Sequence, residues 1–144
     1  MVNPKLLRQH LFPWYKEMNR IAHEKGRLVV CHSDGNIQDV IEDIIECGFD
    51  GLNLIEPKAM NINELKKKFG SRISLIGNID LGYTLTRGTP EEVRAEVWQR
   101  IHDLAPGGGY AVASSNSVPE YVPLANSNAM REATFDYGKY PILL

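Results

Sequence analysis

RLVVCHSDG, residues 27–35, is a short apolar run that ends in a tight polar cluster, after which a helical periodicity begins. The pattern returns three more times. The runs are residues 27–30, 51–55, 73–76 and 110–113. The clusters behind them are Cys31-His32-Ser33-Asp34-Gly35, Glu56-Pro57, Gly77-Asn78-Ile79-Asp80 and Ser114-Ser115-Asn116-Ser117. Short β-branched and aliphatic runs bounded by turn signals read as buried strands of a parallel sheet. In parallel α/β enzymes the chemistry collects at the carboxyl ends of the strands. Polar groups placed there four times therefore point to one shared site.

The segments between the runs read as helices. Over residues 4–25, Leu6, Leu7, Leu11, Trp14, Met18, Ile21 and Ala22 recur at three- and four-residue steps. Pro13 inside that stretch predicts a kink or two helices meeting, and Gly26 is a carboxyl-terminal stop. Asn36 can cap a helix with the stripe Ile37, Val40, Ile41, Ile44 and Ile45, ended by Gly48. Asn63 reads as the cap of a short helix through Phe69, stopped by Gly70. Thr89-Pro90-Glu91-Glu92 is a capping box with proline at the first helical position. Its helix is expected to bury Val93, Val97, Ile101 and Leu104 before Pro106-Gly107-Gly108-Gly109 breaks it. A last helix, about residues 123–137, carries Leu124, Met130 and Ala133.

The order is α-βα-βα-βα-βα, which implies a parallel sheet with right-handed crossovers. The fold class is α/β: half of a (βα)8 TIM-type barrel, four parallel strands alternating with helices, with residues 1–144 as one half-barrel segment. Barrel closure ties strand number, tilt and shear together. A half barrel leaves two strand edges and much apolar surface open. The chain is accordingly expected to be a piece of a longer protein, or to form a homo-oligomer that covers the open half.

Composition excludes several classes. The 144 residues are 43% hydrophobic and 24% charged, in keeping with one globular domain. With 16 basic against 18 acidic residues, the net charge of −2 offers no drive toward nucleic acid or an anionic membrane. No apolar run approaches the roughly 18 residues of a membrane span. MVNPKLLRQH at the amino terminus lacks the apolar core of a signal peptide, so the cytoplasm is the expected compartment. Cys31 and Cys47 read as reduced core residues. Lys66-Lys67-Lys68 reads as a solvated helix face. His10, His23 and His102 have surface or packing roles, and Trp14, Trp98 and Tyr121 read as packing residues. The glycines 107–109 precede a strand, so they read as a turn rather than a phosphate cradle.

The clusters supply the candidate site. His32 and Asp34, two apart, share a side if the strand continues through them. They read either as metal ligands or as a histidine–carboxylate pair that orients a loop. Pro57 holds Glu56 extended, and a carboxylate at a strand end suits a metal ligand or an acid/base group. Asn78 and Asp80 flank Ile79 and read as substrate contacts or as stabilisers of a turn. Ser115 and Asn116 offer a hydroxyl and an amide to a polar ligand. No base neighbours the serines in sequence, so none is read as a nucleophile. Glu56 and Asp80 are thus the candidate catalytic residues.

The chain resembles the uroporphyrinogen decarboxylase superfamily. The resemblance rests on His32-Ser33-Asp34-Gly35, Gly77-Asn78-Ile79-Asp80, Gly88-Thr89-Pro90-Glu91-Glu92-Val93 and Pro106-Gly107-Gly108-Gly109-Tyr110, with Pro123 and Asn126. It covers the carboxyl-terminal half of a typical member and implies the (βα)8 barrel. Two activities follow: decarboxylation of uroporphyrinogen in porphyrin biosynthesis, which needs no cofactor, or methyl transfer from a corrinoid on a partner protein to a thiol acceptor. The methyltransferases resembled hold zinc with a His-x-Cys pair, a cysteine after the last strand and a glutamate. Here His32 and Glu56 match, while Asp34 and Asn116 stand where the cysteines would be. The implied metal set is His32, Asp34 and Glu56, a harder set than thiolates, for zinc or another divalent ion. The implied substrate-binding residues are Asn78, Ser115, Asn116 and Asn126. In the decarboxylase branch, the histidine near the last strand falls on Asn116. A third reading is a catalytically silent half-barrel that binds or assembles.

Overall fold

The computed structural model describes residues 2–142. Strand β1, Val30–Ser33, runs parallel to β2, Gly51–Leu54, with Val30 opposite Gly51 and His32 opposite Asn53. β3, Ser74–Ile76, and β4, Tyr110–Ala111, follow in chain order, every pairing parallel. Cys31, Leu52, Leu75 and Tyr110 thus form one row across the sheet, and His32, Asn53, Ile76 and Ala111 the next. Because side chains alternate across a strand, these rows face opposite ways. Cys31, Leu52 and Leu75 are buried against the helices, while His32 and Ala111 are exposed on the other face. This is half of a (βα)8 barrel, with its would-be interior uncovered.

Helices α1, Pro4–His10, and α2, Phe12–Glu24, meet at Leu11, because Pro13 sits in the first turn of α2, where its missing N–H costs nothing. A 3-10 turn, Gln38–Val40, leads into α3, Ile41–Glu46. Asn36 does not cap it as expected: its side chain accepts the Gln38 N–H in a local turn, while Ile37 and Val40 flank the 3-10 turn and α3 without any side-chain cap. α4 is Ile62–Phe69, α5 Thr84–Arg87, α6 Pro90–Leu104 and α7 Leu124–Tyr137. One core cluster joins the sheet to α3 and α4 through Ile41, Ile44, Leu52, Leu65, Phe69 and Leu75. A second joins α6 and α7 through Val93, Val97, Ile101, Ala129 and Ala133, capped by Ile79 and Leu85. Each such Val, Ile, Leu or Phe side chain contributes about 1.5–3 kcal/mol on burial. Both cysteines are free and buried, and that burial raises both thiol pKa values. Among the described residues no helix is long and apolar enough to cross a membrane.

Several expectations need correction. β1 begins at Val30, not Arg27, and Leu28 is 82% exposed. The lead-in is tied off by Asp50, whose carboxylate accepts the Val29 N–H and whose N–H donates to the Val29 carbonyl. The cap of α4 is Asn61, whose side chain accepts from Asn63 and Glu64, so Asn63 already lies in the first turn. Lys67 and Lys68 are exposed as expected, but Lys66 is half-buried and its ammonium donates to the Gly108 carbonyl. Trp14 and Tyr121 are exposed rather than packed, while Trp98, also partly exposed, stacks its ring on His102. In α7 the inward residues are Asn126, Ala129 and Ala133, whereas Leu124 faces out. The short helix α5 had no apolar period to announce it.

Candidate functional site at the carboxyl ends of the strands

A depression of about 330 Å³ opens where the strands end, walled by Asp34, Glu56, Lys58, Asp80, Ser115, Asn116 and Tyr121. Its first wall joins the two outer strands. Asn116 Nδ2 donates to Asp34 Oδ1 at 3.1 Å, across 82 residues of chain. The Asn116 amide is oriented for this because its oxygen accepts the Ser117 N–H at 2.7 Å. Asp34 therefore pairs with Asn116 rather than with His32.

Glu56 stands on a constrained backbone. The preceding Ile55 is fully buried with φ of 45°, a value a β-branched residue rarely adopts. Asn78, from the end of β3, donates from Nδ2 to the Ile55 carbonyl at 2.6 Å. On the other side the Glu56 carbonyl accepts from Ala59 and Met60, closing a turn. Asn78 is itself 1% exposed, and it does not line the depression. Tyr110 in β4 donates its hydroxyl to the Gly77 carbonyl at 2.5 Å and so steadies the segment that carries Asn78. Burial of that hydroxyl raises its pKa.

Asp80 reads as the stabiliser of a turn. Its carboxylate oxygens accept from Gly82 at 2.8 Å and Tyr83 at 3.0 Å, and its own N–H donates to Glu96 Oε1 at 3.0 Å. The Ser115 hydroxyl accepts the Leu81 N–H at 3.0 Å, and the Ser114 hydroxyl donates to the Asn116 carbonyl at 2.6 Å. A Cβ on Gly82 would lie 3.1 Å from Asp80 Oδ1 and 3.3 Å from Lys58 Nζ, so glycine there lets the lysine reach over the turn. Lys58 and Tyr121 were not singled out for the site from the sequence. Lys58 had a signal, being two residues past Glu56 in the same cluster; Tyr121 had none, because its wall position depends on a loop fold.

The remaining candidates go elsewhere. His32 lies on the open face of the sheet, its Nδ1 3.3 Å from Asn53 Nδ2. His32 is not part of the depression's wall. Asn126 is 2% exposed and donates from Nδ2 to the carbonyls of Leu85 and Gly88, which ties α7 to the turn before α6. Both of its amide hydrogens are spent inside the protein. A metal does not fit the implied ligands: among the described residues no three His, Cys, Asp or Glu side chains gather to hold an ion. One donor faces the sheet's open side, and another is already taken by an amide. What the depression offers is three carboxylates against one ammonium, two hydroxyls (Ser115 and Tyr121) and an amide. That set favours ligand groups that donate hydrogen bonds or protons.

The sequence model described as uroporphyrinogen decarboxylase (URO-D) matches residues 1–137. The chain is 28% identical over 137 residues to the methylcobamide:CoM methyltransferase MtaA of Methanosarcina barkeri, covering 95% of this chain and 38% of that protein. It is 31% identical over 93 residues to the uroporphyrinogen decarboxylase of Methylobacillus flagellatus, covering 65% of this chain and 25% of that one. A solved methyltransferase from Methanosarcina mazei superposes with a TM-score of 0.79 at 24% identity, over 96% of this chain and 39% of that chain. The chain thus spans less than two-fifths of the length of these relatives, and its fold is that of the matching half of their barrel. It belongs to the uroporphyrinogen decarboxylase (URO-D) family.

Proposed function

We propose that this chain forms one wall of a methyltransferase barrel that moves a methyl group from a methylated corrinoid protein to a thiol. The supporting observation is the similarity to the methylcobamide:CoM methyltransferase, which runs through all the rim loops and 95% of the chain. In this reading the acceptor thiol sits in the depression. Glu56, held by the Asn78–Ile55 contact, takes the thiol proton. The sulfur then attacks the methyl carbon, the cobalt–carbon bond breaks, and its electron pair stays with the corrinoid. Asn116 and Ser115 face the polar part of the acceptor, and the Asp34–Asn116 bond keeps the two outer loops together. No step runs through a metal.

Decarboxylation is the second reading, favoured by the shorter matches to uroporphyrinogen decarboxylases. It relies on cations that grip the substrate's carboxylates, whereas the cation lining this depression is Lys58. Both activities are testable on the protein that carries this segment together with the rest of its barrel. Methylcobalamin and CoM should react to consume free thiol, and Glu56→Gln should slow that about 100-fold, the scale of a lost general base. Carboxyl loss from uroporphyrinogen without thiol methylation would transfer the assignment to the decarboxylases. Inertness of that whole barrel toward both would remove both assignments and leave the segment a catalytically silent wall.

A further inference from the structure

A second cavity, of about 490 Å³, lies beside the Glu56-Pro57-Lys58 turn. It shares Pro57 and Lys58 with the first depression but none of that depression's carboxylates. Its wall includes Asn63 in α4, Asn78 after β3 and Arg100 in α6. Each of these residues holds a buried polar atom with no partner among the described residues: Asn63 Oδ1, Asn78 Oδ1 and Arg100 Nε. The amides cannot turn round to relieve this. Asn78 Nδ2 is committed to the Ile55 carbonyl, and Asn63 Nδ2 donates to Asp103 Oδ2 at 3.3 Å. Arg100 Nη2 stands 3.6 Å from Glu96 Oε1, which already accepts the Asp80 N–H. Buried polar atoms are nearly always paired, so three orphans around one cavity mark a place built for something that pairs with them.

Their chemistry specifies the occupant. The guanidinium N–H needs an acceptor, and with Lys58 it outweighs Glu64, the acid on the wall, in favour of a negative charge. The two amide oxygens need donors. We propose that this cavity binds a small organic anion carrying its own hydroxyl or amine donors, of the hydroxycarboxylate or polyol-phosphate class. The site is separate from the methyl-transfer depression and does not depend on that assignment. The turn between them carries Glu56 on one side and walls the ligand on the other, so an occupant braces the catalytic candidate from behind.

Calorimetric titration of the chain with paired probes tests this. L-malate against succinate, and glycerol 3-phosphate against inorganic phosphate, differ by the presence of donors and separate the carboxylate source from the phosphate source. In at least one pair the donor-bearing probe should bind about tenfold more tightly, the scale of one good hydrogen bond. Arg100→Gln should weaken that probe about tenfold or more. Asn63→Leu should bring the ratio within the pair toward one, as should Asn78→Leu. Should Asn78→Leu fail to fold, Asn63→Leu and Arg100→Gln still decide the matter. No saturable binding by any probe, equal binding within both pairs, or binding indifferent to Arg100→Gln and Asn63→Leu would each overturn the proposal and leave a cavity filled by water alone.

Discussion

Ile55 shows how much of the site is carried by residues that do no chemistry. Its left-handed backbone costs on the order of 1–3 kcal/mol, tolerated because the Asn78 amide and a fully buried side chain hold it in place. That turn delivers Glu56 to the rim. Glu56, Asp80, Ser115 and Asn116 were legible in the sequence because a polar cluster directly after a strand can only lie at the sheet's carboxyl end. Asn78 and Asn126 were legible as special, but not in role. An amide in a sequence does not say which carbonyl it will meet, and both turned out to serve the backbone. Asn126→Ala should lower unfolding free energy by about 1–3 kcal/mol in urea, since it leaves the Leu85 and Gly88 carbonyls unpaired in the interior. Asp50 makes a prediction in pH. Burial pushes its carboxyl up, but the Val29 N–H and His23 outweigh this and hold its pKa below the usual value. A carboxyl lowered in the folded state adds stability that is full above the unfolded value of about 3.9 and is lost as pH falls from there through the lower folded value. Thermal melts of the native chain and Asp50→Asn should therefore differ most near neutrality and converge toward pH 3.

At the scale of elements, α6 is the one the sequence specified most completely. Thr89 accepts from the Glu92 N–H, Glu92 returns the bond to the Thr89 N–H, and Val93, Val97, Ile101 and Leu104 all face inward. Thr89→Ala should cost about 1 kcal/mol, visible as a lower midpoint in chemical denaturation with an unchanged slope. The asparagine cap of α4 was misplaced by two residues because Asn61 and Asn63 carry the same signal. The competition is settled by which side chain finds free N–H groups, and Asn61 Oδ1 finds two. The stripe of α1 and α2 was read correctly as periodic but not as covered. Leu6, Met18 and Ile21 remain exposed, because period alone does not provide a surface to pack on.

At the scale of the molecule, the sheet presents β1 and β4 as edges, with Leu28 and Val30 exposed beside the first. Unpaired strand edges flanked by apolar side chains recruit partners. The chain by itself is expected to self-associate in sedimentation velocity, and Leu28→Lys with Val30→Lys should shift it toward monomer. A sharp monomer before substitution would show that these edges are adequately guarded as they stand. The alternation of strands and helices, their parallel order and the rim location of the polar clusters all follow from sequence alone, because period, caps and turn residues act over a few neighbouring positions. Contacts such as Asp34 with Asn116 or Asn78 with Ile55, the placement of His32 away from the other candidate ligands, and the unpaired atoms around the second cavity were settled only by the tertiary structure. Those depend on register and on the angle at which separate strands and helices meet, and neither is written in any one stretch of chain.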